Sequence, residues 1–192
     1  DDGINVGGDG SDLIISGGDA YSRAMNNDGI AGTGNGYAKG GLVYAIGANS
    51  PEVAIDANSE EQKKLYVQGG TLIAVGGLES GAQISGGTCK QTTSFTAEAW
   101  YALYNGSELV AAFKTPAAST SSSGGGRPGG GGSGSKKLVV YTSSTPALKS
   151  GVTVSGGTEY FDGAANIGGS VSGGSSVTLS DYTSSGGPGG RP

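Results

Sequence analysis

The chain has 192 residues, 41 of them glycine, with a formal net charge of -5 and a pI near 4.6. Its length suits one domain, and its acidity argues against nucleic acid or an anionic membrane as a partner. With no histidine, Ser-His-Asp, Cys-His and His-ligated zinc chemistry are excluded. The lone Cys89 cannot form an intramolecular disulfide and reads as a small buried apolar side chain.

Glycine at this level without a Gly-X-Y period, together with β-branched runs such as LIIS, LYV, TLIAV and LVVYT, predicts short strands joined by glycine turns. A compact core of leucines and aromatics is hard to assemble from this composition. The apolar side chains are therefore expected to fill a narrow interior made by stacking equivalent turns. The first nine-residue feature, GGDGSDLII (Gly7 to Ile15), fits a calcium-binding nonapeptide pattern, but the following window, from Ser16 to Tyr21, lacks the third glycine and the aspartate. A lone copy reads as a turn ahead of a strand at Leu13 to Ser16.

Longer spacings carry more information. Asp2-Gly3-Ile4 recurs as Asp28-Gly29-Ile30, and Ile55 continues the apolar position, while Gly17-Gly18, Gly40-Gly41 and Gly69-Gly70 punctuate the same region. Irregular intervals of this size predict an all-β parallel β-helix, a solenoid of three-strand turns, over residues 1–87. Ile4, Ile30 and Ile55 are expected to stack inside it. Residues 88–114 then carry Asn105-Gly106 between two alternating runs, Ala99 to Tyr104 and Glu108 to Lys114, which predicts an antiparallel hairpin starting a C-terminal cap. A Gly/Ser/Pro-rich excursion is expected at 115–136, further cap strands at 137–183, and a flexible tail at 184–192.

Candidate ligands for a cation gather early. Six of the nine aspartates lie within the first 28 residues, opposed only by Arg23. Stacked turns put Asp2 beneath Asp28 and Asp1 beneath Asn27, where carboxylates repel and a calcium ion with its many oxygen ligands is the natural remedy. Asp9 and Asp12 are weaker candidates from the adjoining loop. The alternative is a solvated acidic edge, or Asx turns in which each aspartate caps its own glycine.

The turns DDGIN and NDGI, followed by EVAIDANSEEQKKLYVQGGTLIAVGGLESGAQISGG, resemble a family of secreted carbohydrate-binding proteins of cellulolytic clostridia and gut Bacteroidetes, whose characterised clostridial member binds cellulose and pectin. The likeness extends over about residues 1–114. It implies a right-handed parallel β-helix of pectate-lyase-like shape with calcium between turns, an extracellular or cell-surface location, and a polysaccharide partner. On this likeness Asp1 and Asp2 match the first turn and Asn27 and Asp28 the second. Val53-Ala54 departs from the Asp-Gly pattern at the third, leaving Asp56 as the nearby acid. Asp1-Asp2-Gly3-Ile4 opens as if within a repeat, so earlier turns and any targeting segment are expected upstream.

Aromatic residues are the second set of candidates. Alternation in WYALY puts Trp100 and Tyr104 on one face and Tyr101 and Leu103 on the other, so one face could stack on sugar rings while its opposite packs inward. Tyr21 and Tyr37 flank loops and are further candidates. For either set the alternative is burial in the core. No run of 18 apolar residues suggests membrane insertion, and no general base is recognisable, since only Arg23 and Lys39 sit near the acidic turns. The expectation is non-catalytic binding of a pectin-like or cellulosic polysaccharide. The alternatives are a surface adhesin or fibre-like spacer and a calcium-dependent polysaccharide lyase.

Overall fold

A computed structural model describes residues 2–8, 10–48, 52–117 and 137–184. Among these, regular structure is strand throughout except for one 3-10 turn at Ser59–Glu61, and the protein is all-β. Three short strands open the chain: β1 (Ile4–Val6), β2 (Leu13–Ile15) and β3 (Asp19–Arg23). The set recurs as β4 (Ile30–Gly32), β5 (Gly36–Ala38) and β6 (Leu42–Ile46), then as β7 (Leu65–Val67) and β8 (Thr71–Val75), then as β9 (Gln83–Ile84) and β10 (Thr88–Thr92).

Equivalent strands of successive sets pair in parallel. Ile4 lies opposite Ile30, and single bridges extend that row to Ile55 and Leu78. A second row runs Ile14, Tyr37, Tyr66, Gln83, and a third runs Tyr21, Tyr44, Ile73. Because alternate residues of a strand face opposite sides, one side of all three ladders meets in a shared interior of Ile30, Ile55, Leu65, Val67, Val43 and Leu72. The glycine pairs turn the chain from the second strand of a set into the third. Gly18, Gly41 and Gly70 adopt φ of 74°, 77° and 78°, where a side chain is strained.

The third ladder is mixed. After the hairpin of β11 (Trp100–Asn105) and β12 (Glu108–Lys114), strand β13 (Leu138–Thr142) enters between β8 and β10, antiparallel to both. A parallel row continuing directly from β8 to β10 is therefore interrupted. The reason lies in the sequence Leu138-Val139-Val140-Tyr141-Thr142, buried at every position: Val139 and Tyr141 enter the interior, while Leu138 and Val140 face the other way. Such a run, apolar on both faces, needs a central place in a sheet covered on both sides.

A second sheet provides that cover. Its remaining strands are β14 (Pro146–Ser155), β15 (Thr158–Tyr160), β16 (Ala165–Ile167) and β17 (Ser170–Val177), in the order β15-β16-β12-β11-β14-β17. The predicted hairpin at Asn105-Gly106 belongs here, lying on the flank of the mixed sheet. Between the two sheets Tyr44, Ile73, Leu138 and Val140 pack against Tyr101, Leu103, Phe113 and Leu148. This is a leucine and aromatic core, where the composition led to the expectation that one would be hard to assemble. Seven of the chain's aromatics, Tyr21, Tyr44, Phe95, Tyr101, Phe113, Tyr160 and Phe161, gather at this contact.

Residues 146–160 and 165–177 form one long two-stranded ribbon that bends at Gly156-Gly157 and Gly168-Gly169. On one side of the bend β14 adds to β11, and on the other β16 adds to β12, so the ribbon wraps the hairpin. Finally β18 (Ser180–Asp181) runs antiparallel along β10, and Tyr182 packs against the interior cluster. The excursion predicted at 115–136 lies outside the described residues from 118 onward, as does the tail from 185.

Candidate functional site

The acidic turns use their oxygens between successive sets. Asp12 Oδ1 accepts from the Asn35 backbone N–H at 2.8 Å, Asn35 Oδ1 accepts from Lys64 N–H at 3.0 Å, and Asp28 Oδ1 accepts from Val53 N–H at 2.6 Å. Each side chain thus satisfies an amide of the next turn, a local use well suited to Asp and Asn. The motif GGDGSDLII contributes through Asp12 to this stapling. Asp2 accepts a hydrogen bond from Asn5 and stands in register with Asp28, as the row Ile4 to Ile30 requires.

Around Asp28 the charge is one-signed. Burial raises its carboxyl to a pKa of about 6; Asp56, Glu52 and Asp2 add to the rise, and the Val53 hydrogen bond opposes it. Glu52, absent from the sequence-based set, stands beside the stacked turns because Ile30 pairs with Ile55. One turn further, Glu79 is 8% exposed and is raised to about 7 by burial and by a hydrogen bond with Asp56. The bridge from Ile55 to Leu78 brings Asp56 and Glu79 into adjacent positions. Among the described residues no three acidic side chains converge closely enough to hold a metal ion, and Asp1 and Asp9 lie outside them. The described acids alone do not complete a calcium site.

These shifts make a pH prediction. Both groups hold protons more tightly folded than unfolded, so their contribution to stability is complete below about pH 4 and is lost as pH rises through about 6 and 7. In urea titrations, Asp28→Asn and Glu79→Gln should stabilise the protein relative to the parent at pH 8, with little gain at pH 4. Equal effects at both pH values would show that neither carboxyl is strained by its neighbours.

The four aromatic candidates occupy different environments. Tyr37 stacks on Tyr66 with ring centroids 5.0 Å apart and planes at 10°, and Lys39 Nζ lies 4.8 Å from its centroid. Tyr104 has Lys149 Nζ 5.8 Å from its ring. Tyr101 and Leu103 are buried toward the mixed sheet, leaving half-buried Trp100 and Tyr104 on the opposite face. Trp100 lines a pocket near the ribbon bend. Tyr21 lines another and stacks on Phe161 at 5.2 Å and 16°.

The Tyr21 cleft, of about 380 Å³, opens where the first strand of the mixed sheet meets the second sheet. Tyr21 and Phe161 form an apolar wall that continues inward through Tyr44 and Phe113. Arg23 and Lys114 contribute cations, and Glu98 and Asp162 carboxylates. All four charged residues are exposed, and neither cation forms an ion pair among the described residues. Glu98, Phe161 and Asp162 hold φ of 52°, 58° and 53°. For a bulky residue such as Phe161 this is a genuine outlier, and strain of this kind concentrates at functional sites. Sequence reading missed Phe161, Asp162 and Glu98 because nothing local distinguishes them from ordinary turn residues; the only signal was the aromatic pair in Glu159-Tyr160-Phe161-Asp162-Gly163.

Comparison with family models, with curated proteins and with solved structures finds no match to this chain. No helix among the described residues is long and apolar enough to cross a membrane.

Proposed function

We propose that the protein is a right-handed parallel β-helix, acting outside the cell or at its surface, that binds an acidic plant-type polysaccharide in the Tyr21–Phe161 cleft without cleaving it. The observation that carries this reading is the Arg23 guanidinium, without an ion pair among the described residues, beside a stacked aromatic wall. A uronate carboxylate matches the planar fork of arginine, and the apolar face of a sugar ring matches an aromatic side chain. The parallel rows and the shared interior support the β-helix. Glu98 and Asp162 are solvent-exposed, unlike a general acid sheltered from water, which favours binding over hydrolysis.

Calcium belongs to the same proposal. Asp56, Glu52 and Asp2 add like charge around Asp28, and a hard cation that draws its remaining oxygen ligands from beyond these acids would relieve the repulsion. Calcium should then raise the melting temperature at pH 8 and lose that effect in the Asp2→Asn, Asp28→Asn double variant; an unchanged shift would remove these acids from the ion's ligands.

The test of binding is a pull-down on insoluble pectate, paired with an assay for unsaturated or reducing products. The parent should be retained and release no product, and Tyr21→Ala should be retained about tenfold less. Product release would replace the binding reading with a lyase or a hydrolase.

A further inference from the structure

A glycine that follows aspartate or asparagine leaves the side-chain carbonyl open to attack by its own backbone nitrogen, because no Cβ obstructs closure of a five-membered imide. The chain carries six such pairs: Asp2-Gly3, Asp9-Gly10, Asp28-Gly29, Asn35-Gly36, Asn105-Gly106 and Asp162-Gly163. The fold ties down the attacking nitrogen in four of them. Gly3 N–H donates to the Asp28 carbonyl at 3.3 Å, Gly29 N–H to Val53 at 3.1 Å, Gly36 N–H to Lys64 at 3.0 Å and Gly106 N–H to Thr145 at 2.9 Å. Their side chains are held as well, Asp2 by Asn5, Asp28 by Val53, Asn35 by Lys64 and Asn105 by Ser143 and Ser144. Asp9 lies outside the described residues. The sixth pair differs, for Asp162 is exposed, and among the described residues neither its carboxylate nor Gly163 N–H has a hydrogen-bond partner. It sits in the turn joining β15 to β16, with φ of 53° at Asp162 and 78° at Gly163.

We propose that Asp162-Gly163 is a self-modification site, at which the folded chain rearranges to isoaspartate and loosens the Tyr21 cleft. Gly163 N gives up its proton and attacks Cγ of the protonated Asp162 carboxyl. A C–N bond forms, a C–O bond breaks, and the carboxyl oxygen leaves as water. Water then adds to the imide at the former main-chain carbonyl of Asp162, whose bond to Gly163 N breaks, so the chain now runs through Cβ and Cγ. The water lost is regained, and neither an oxidant nor a second reactant is needed. The backbone is one atom longer at Asp162, directly after Phe161, whose ring stacks on Tyr21 at 5.2 Å in the wall of the cleft. Lengthening the turn beside that ring shifts it off Tyr21, so ageing weakens the uronate site. This effect on binding rests on the reading of the cleft given above, whereas the rearrangement stands independently of it.

The full chain, aged at neutral pH either folded or in urea, is digested and its isoaspartate located by electron-transfer fragmentation. In urea Asn35 and Asn105 should convert ahead of the aspartates, since their amides are the more reactive. Folding should reverse that order. Asp28, Asn35 and Asn105 must first open their pairing and should slow at least about tenfold, while Asp162 should keep nearly its unfolded rate. Asp162 is exposed, so Asp162→Glu should fold, and its longer side chain cannot close the same ring. Retention of the aged parent on pectate should fall in proportion to its isoaspartate at Asp162, and retention of aged Asp162→Glu should not fall. No isoaspartate at Asp162, or slowing there equal to that at Asn105, would overturn the proposal. Full retention by a parent converted at Asp162 would overturn its effect on the cleft. A fresh parent that is never retained would overturn the glycan reading and leave the rearrangement to be decided by the fragmentation data alone.

Discussion

Gly41→Ala is expected to destabilise the protein by upwards of about 3 kcal/mol, while Gly17→Ala should change stability by less than about 0.5 kcal/mol. Gly41 has φ of 77°, and a Cβ there would overlap the carbonyl of Gly18 in the preceding turn. The added methyl group therefore meets both an intrinsic left-handed penalty and a rigid backbone neighbour. Gly17 has no positive φ and nothing within 4 Å of the position its Cβ would take. Urea unfolding of the two variants decides whether the glycine turns stack as closely as the parallel rows require. Similar effects at both sites would mean that they do not.

Phe113→Ala should cost about 3–5 kcal/mol, the range for removing a fully buried aromatic side chain. Its ring meets Tyr44 at 5.5 Å and Tyr101 at 5.7 Å, so it couples the mixed sheet to the second sheet. The Tyr44 hydroxyl also donates to the Lys114 carbonyl at 2.6 Å, tying the same two layers together. Loss of the near-ultraviolet tyrosine signal together with the fall in stability would mark loosening of this contact. A loss below about 1 kcal/mol would mean that the two sheets hold together without it.

Much of the repeating region was legible because a parallel pairing repeats its sequence marks. Asp2-Gly3-Ile4 and Asp28-Gly29-Ile30 share a register because the same backbone positions need the same residues, and the double glycines recur for the same reason. Leu78 continues the isoleucine row through a single bridge with no Asp-Gly ahead of it, so that turn carried no mark. The hairpin at Asn105-Gly106 was visible through its turn chemistry, with Gly106 at φ of 63°. Insertion of β13 between β8 and β10 was not legible. A buried strand reads alike in either direction, and its partner is chosen by packing with residues distant in the chain. The cleft suffered in the same way. Tyr21, Glu98, Lys114 and Phe161 come from four separate stretches and meet only when the second sheet docks. The acids were found, yet their division between amide stapling and charge crowding depends on interatomic geometry that spacing does not contain.

The account rests most heavily on Arg23 and its aromatic neighbours as a site for an acidic glycan, and calorimetric titration with a homogalacturonan oligomer tests it directly. The parent should bind with a single saturable isotherm, and affinity should weaken as salt screens the arginine–uronate attraction. Arg23→Gln should lower affinity at least tenfold without altering the melting temperature, because Arg23 is exposed and makes no ion pair among the described residues. Binding equally tight in Arg23→Gln, or no binding by the parent, would contradict the assignment of this cleft.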